Sequence, residues 1–186
     1  MAAQDVALKH GALADAALDG RLFHAATAAT GVAPGTAIGT TAAFALTNPA
    51  GSGVRLLIAK ASLGYISGTL GAGTVWHLAT IDPQDAIPTG TAIVEVPAIT
   101  NGAGPQGRAF TTATLAVAPK IIRPFCSLGA SLASTAVQPW QINEDVGGGI
   151  VIVAGCTYVL HATAAAGTAP LVAFGVTWEE IADGAD

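Results

Sequence analysis

Four histidines, two pairs of adjacent carboxylates, two cysteines and three tryptophans are the residues here that could do chemistry. Histidine serves as a general base or a metal ligand, but a metal site normally needs a dense local set of ligands. Of His10, His24, His77 and His161, the last two fall within strand-like runs. Neither has a second histidine or a carboxylate at ligand spacing, so both are expected to be packed or interfacial. Two carboxylates do acid–base work only where they converge on one cleft at a set separation. Adjacent strand residues point to opposite faces. Glu179–Glu180 is therefore expected to be a solvated strand end and Glu144–Asp145 a solvated loop. A Ca²⁺ site between loop carboxylates and carbonyls stays open, although no D-x-[DN]-x-[DN]-G loop is present. No G-x-S-x-G elbow supports a serine nucleophile. The glycine-rich pieces Gly68–Gly73, Asn101–Gly107 and Gly147–Gly149 lack the Lys-Ser/Thr tail of a phosphate loop, and are expected to be turns.

Trp76, Trp140 and Trp178 could stack on a carbohydrate, but core packing or subunit contact is the commoner fate of a strand tryptophan. Cys126 and Cys156 sit far apart in apolar contexts and outside any CxxC. Free buried thiols are the default expectation for them, with a disulfide as the alternative. No catalytic residue, cofactor or metal site follows from these residues.

The elements that would position them read as strands. In Leu171–Ile181, Val172, Phe174, Val176 and Trp178 fall on one face and Ala173, Gly175, Thr177 and Glu179 on the other, the alternation of a half-buried strand. Thr157–Thr163 alternates likewise, and Ile150–Ala154 is a short apolar run after Gly147–Gly149. Further strands are expected at Leu22–Thr30, Thr40–Thr47, Val54–Ile66, Thr74–Ile81, Thr91–Val96, Ala109–Val117 and Thr135–Asn143. Pro119–Gly129 suits an edge or a crossing loop, since proline cannot donate to a ladder. About nine or ten strands with turn signals between them, and no helices to make βαβ units, predict an all-β antiparallel sandwich, a jelly roll ahead of an immunoglobulin-like fold. Residues 1–19 are expected to be an N-terminal arm or short amphipathic helix, and residues 20–186 a single domain.

Only 10% of the 186 residues are charged, against about 25% in an average soluble domain. So little charge leaves much of the surface to be buried between subunits, and an oligomer is expected. A net charge of −5 without a basic cluster argues against nucleic acid as the main partner. No apolar run approaches the roughly 18 residues of a membrane span, and the start of the chain is not of the secretory type. A soluble protein made in the cytoplasm is expected.

Several phrases carry a resemblance. Gly20-Arg21-Leu22-Phe23-His24-Ala25-Ala26, Leu46-Thr47-Asn48-Pro49-Ala50-Gly51-Ser52-Gly53, Tyr65-Ile66-Ser67-Gly68-Thr69 and Gly167-Thr168-Ala169-Pro170-Leu171 through Trp178-Glu179-Glu180 together resemble a group of tailed-bacteriophage virion proteins. The resemblance lies in turns and strand ends and brings no catalytic or ligand-binding residue. It implies a β-sandwich structural subunit of the virion, a capsid decoration (cement) protein forming homotrimers on the major capsid protein or other virion proteins. Its first alternative is a tail or head-fibre component whose loops Asp82–Gly90 and Asn101–Gly107 bind a host glycan. A cupin-type metalloenzyme would need a convergent His/carboxylate cluster that the sequence does not display.

Overall fold

A computed structural model describes residues 11–129, 141–165 and 167–184. One helix, α1 (Ala12–Leu18), precedes eleven strands: β1 (Leu22–Ala26), β2 (Thr41–Thr47), β3 (Val54–Ser67), β4 (Gly73–Ala79), β5 (Thr89–Ala92), β6 (Val96–Pro97), β7 (Arg108–Thr114), β8 (Lys120–Leu128), β9 (Gln141–Ile152), β10 (Thr157–Thr163) and β11 (Leu171–Ala182). They form two antiparallel sheets, β6-β1-β11-β3-β9 and β5-β7-β2-β10-β4-β8. The first four strands pair with the last four in reverse order, β1 with β11, β2 with β10, β3 with β9 and β4 with β8. This is one long hairpin rolled into two sheets, the winding of a jelly roll. The short strands β5 to β7 are an insertion between its two halves, adding β6 beside β1 and β7 and β5 beside β2.

The core lies between the sheets, as the period-two pattern requires. Val172, Phe174, Val176 and Trp178 of β11 all point inward and are buried with Phe44, Leu46, Tyr158 and Leu160 from the facing sheet. Trp178 and Phe23 pack with ring centroids 5.9 Å apart. At roughly 25 cal/mol per Å² of apolar surface, these large side chains outweigh any single polar contact in the fold.

Four local expectations are corrected. First, β10 is not half-buried: Thr157 to Ala162 are buried on both faces. A second apolar cluster of Ala42, Ala45, Leu78, Ala113, Leu115 and Val159, with Ile38, Trp76 and Phe110 against it, covers the sheet's other side. Second, Gly147–Gly149 is not a turn between two strands. Gln141–Ile152 is one strand in which residues 146–149 bulge where the partner β3 supplies Ala59 alone. Gly147 and Gly148 take φ of 60° and 77°, which lets the chain bulge without leaving the ladder. Third, the stretch 91–96 is interrupted, its ends belonging to β5 and β6 in different sheets. Fourth, the first strand ends at Ala26 instead of Thr30, because Thr27 turns in to bond β11 through its N–H and hydroxyl at Phe174.

Within the arm, Ala12–Leu18 takes the helical alternative, with Ala16 buried. Arg21, just after it, ties the helix to the sheet by pairing with Asp15, Asp19 and Glu179. The expected Met1–His10 part of the arm, and the part of the Thr135–Asn143 strand before Gln141, fall outside the described residues, as do His10 and Trp140. Among the described residues no helix is long and apolar enough to cross a membrane.

Candidate functional site

His77 is where the buried polar chemistry gathers. In β4, Val75, His77 and Ala79 share the inward face, so the strand's alternation alone carries the imidazole into the core. Its Nδ1 lies 2.5 Å from the Tyr158 hydroxyl of β10, and its Nε2 lies 3.0 Å from Glu144 Oε2 of β9, in the opposite sheet. Arg123 of the edge strand β8 pairs with the other Glu144 oxygen. The Phe125 ring packs on the imidazole at 5.0 Å. A line of four polar groups thus runs from the middle of the core to the surface, crossing between sheets at Glu144.

The protonation states follow from the surroundings. Burial holds the His77 pKa below its usual value, although the bond and charge of Glu144 pull the other way. Burial pushes the Tyr158 hydroxyl well above its usual range. A neutral imidazole donating Nε2–H to Glu144 and accepting the Tyr158 proton at Nδ1 satisfies every member of the line. The phenol therefore stays a donor and is not a nucleophile. With His77 and Tyr158 both fully buried, the arrangement is suited to bracing the two sheets. The packed fate expected for His77 is what the fold gives it. The solvated-loop expectation for Glu144 is corrected, because Glu144 lies in β9 between the inward neighbours Ile142 and Val146. That alternation was the one signal in the sequence that could have found it.

Glu180 is also corrected from a solvated strand end. It continues the inward face of β11 two residues beyond Trp178 and is 9% exposed. Its Oε1 accepts from the Gly107 N–H at 2.8 Å and from the Trp178 indole at 3.2 Å, and its Oε2 accepts from the Gln106 N–H at 3.0 Å. The carboxylate is the anchor of the Asn101–Gly107 segment. Glu179, on the outer face, pairs with Arg21.

His161 is a third internal device. Its Nδ1 accepts the Ala43 N–H at 2.9 Å and its Nε2 donates to the Ala37 carbonyl at 3.0 Å. These two bonds fix the neutral tautomer and clip the 34–38 segment onto β10, where the N–H groups of Ala162 and of Ala164 just past the strand bond the Pro34 and Thr36 carbonyls. Burial lowers the pKa of this imidazole, partly offset by the bond to Ala37. Gly35 lies directly on the ring. A Cβ there would come within 2.2 Å of His161 Cε1 and Nε2, at a φ of 99°. Gly35→Ala is expected to lower stability by about 2–4 kcal/mol, read as the shift in a urea unfolding midpoint at unchanged slope.

His24 is exposed on the outer face of the β6-β1-β11-β3-β9 sheet, with Nδ1 2.9 Å from Thr177 Oγ1, and partial burial lowers its pKa. It borders an open groove of about 670 Å³ whose polar lining also includes Lys60, Ser62, Asn143 and Thr177. Cys126 and Cys156 are both free thiols. Burial, and secondarily the charge of Glu144, pushes Cys126 up to about 11, and burial also raises Cys156. Thiolate is the reactive form. A thiol reagent is expected to label the folded protein slowly at neutral pH and to titrate both cysteines at once in denaturant.

Among the described residues, no group of three or more His, Cys, Asp or Glu gathers as metal ligands. Trp178 is core, and Trp76 donates its indole N–H to Thr163 Oγ1 at 2.9 Å. No protein-family model, curated protein or solved structure matches the chain.

Proposed function

We propose that this protein is a non-enzymatic structural subunit of a tailed-bacteriophage virion, a capsid decoration protein that self-associates as a homotrimer and binds the capsid lattice. The observation that carries this reading is how the fold uses its polar side chains. His77, His161, Glu144 and Glu180, the groups best able to do chemistry, hold sheets and loops together, while the surface remains poor in charge. A jelly roll built this way suits a subunit whose business is contact with other subunits. Fold alone does not decide function, so the test is direct. Purified protein is expected to scatter light as a trimer at dilute and concentrated loading. It is further expected to cosediment with capsids that lack it. Deleting residues 1–10, the part of the arm before the helix, is expected to abolish cosedimentation while leaving the oligomer intact; binding that survives would remove residues 1–10 from the capsid contact. A monomer that ignores capsids would overturn the whole reading.

One observation favours a second reading, a fibre component that binds a host glycan. The groove beside His24 carries Lys60, Ser62, Asn143 and Thr177 and no carboxylate in its lining. Of the two loops expected to do this work, Asn101–Gly107 is bonded to Glu180 through Gln106 and Gly107, while Asp82–Gly90 stands as a candidate beside the groove. A glycan array separates the two, since a decoration protein gives no specific hit.

A further inference from the structure

We infer that copies of this chain join along the seam between β8 and β9, with β8 of one copy against β9 of the next in a closed ring. The inference rests on the proposal that the protein self-associates, and it assigns the surface. β9 is the last strand of one sheet and β8 the last strand of the other, and the Arg123–Glu144 pair crosses between them. They therefore border one side of the sandwich. The opposite side ends in β6 and β5, of two and four residues, whereas β8 and β9 have nine and twelve. A long unpaired edge is a template for another chain unless it is covered, and the short edges are already blunted.

The seam is apolar where it should be polar if it faced water. Five of the ten exposed large apolar side chains among the described residues lie on β8, on β9 with the residue after it, or just after β4. Ile122 is 45% exposed, Val151 48%, Val153 46% and Ile81 67%, and they border a cleft of about 350 Å³ between the two edges. Apolar patches of this kind on a soluble protein mark contact surfaces.

Charge selects the occupant. β8 carries Lys120 and Arg123 and no acid; β9 carries Glu144 and Asp145 and no base. Arg123 and Glu144 satisfy each other within one copy. Lys120 and Asp145 have no ion pair among the described residues, although Lys60 stands opposite Asp145 in the β3–β9 register. Pairing β8 with β8, or β9 with β9, sets like charges together, whereas β8 against β9 of another copy sets Lys120 toward acid. Because both edges lie on one side of each sandwich, that contact repeats around an axis parallel to the strands. A head-to-tail contact of this kind makes a ring where its rotation closes, as it does for three copies turned by a third of a circle each, and an open filament where it does not.

Light scattering of the full chain over about a hundredfold range of concentration tests the assignment. The native protein is expected at three times its 18.3 kDa chain mass. Ile122→Asp and Val151→Asp place a charge in the seam at exposed positions. Each is expected to raise the concentration of half-dissociation at least about tenfold with an unchanged circular dichroism spectrum. Lys120→Asp and Asp145→Lys are each expected to weaken the ring and, combined in one chain, to restore it. A native oligomer indifferent to all four substitutions would overturn the seam while leaving self-association standing. A native protein that is monomeric throughout would overturn both.

Discussion

Glu180→Ala is expected to cost about 3–5 kcal/mol of folding stability, the largest effect of any single polar substitution in this protein. Three donors converge on that carboxylate: the Gln106 and Gly107 N–H groups and the Trp178 indole. Removing it strands all three in or beside the core, at about 1–3 kcal/mol for each buried donor left unmade, softened where water reaches Gln106. Gly107 approaches so closely that a Cβ would lie 3.4 Å from Glu180 Oε1 and 3.3 Å from the Trp178 indole nitrogen. Glu180→Gln keeps one acceptor of two and is expected to lose about half as much. Urea unfolding followed by tryptophan fluorescence checks the series. If Glu180→Ala and Glu180→Gln are equally mild, the carboxylate is not the anchor of the 101–107 segment.

The second large effect is acid destabilisation through His77 and His161. Burial depresses both imidazoles below their unfolded pKa of 6.5. The unfolded chain therefore binds protons that the folded chain refuses. The stability they contribute is fully present above the unfolded value and is lost as pH falls from about 6.5 toward the folded values. The slope is at most about 1.4 kcal/mol per pH unit for each histidine. A loss on the order of 2 kcal/mol is expected between about pH 7 and pH 5, before ordinary carboxylates titrate. Protonating His161 removes the acceptor for the Ala43 N–H. Protonating His77 Nδ1 forces the Tyr158 hydroxyl to turn. His161→Asn keeps an acceptor near the Nδ1 position and cannot titrate, so it is expected to flatten the acid limb by one proton. Unfolding midpoints that stay constant from pH 7 to pH 5 would show that neither imidazole is held neutral by the fold.

Neither prediction touches a reaction, and that is consistent with the proposed structural role.

Alternation in Leu171–Ile181 placed Val172, Phe174, Val176 and Trp178 in the core, and followed one step further it would have placed Glu180 there too. The same rule in Thr74–Ile81 puts His77 on a face with Val75, Ala79 and Ile81; His77, Val75 and Ala79 are buried, while Ile81 lies past the end of β4 and is exposed. Asn48–Gly53, dense in turn formers, separates β2 from β3, and the prolines of the 119–129 segment suited an edge or a crossing loop, of which the fold makes the edge strand β8. Period-two alternation works because a strand has only two faces and the core rewards one of them.

Tertiary structure decided what pairs with what. His77 and Glu144 are 67 residues apart, and His161 and Ala43 are 118 apart. No local spacing encodes such partners; they meet only because β1 to β4 pair with β8 to β11 in reverse order. Both faces of β10 are buried for the same reason, since the 34–38 segment and the β7 side chains come from elsewhere in the chain to cover its outer side. The bulge at residues 146–149 kept β9 whole where the glycines alone read as a turn. The sequence by itself determined an all-β chain with little charge and inward-facing positions at every second residue. The roll-up of the long hairpin decided which polar groups would meet, because pairing at that distance is set by the closing of the whole sheet and not by neighbouring residues.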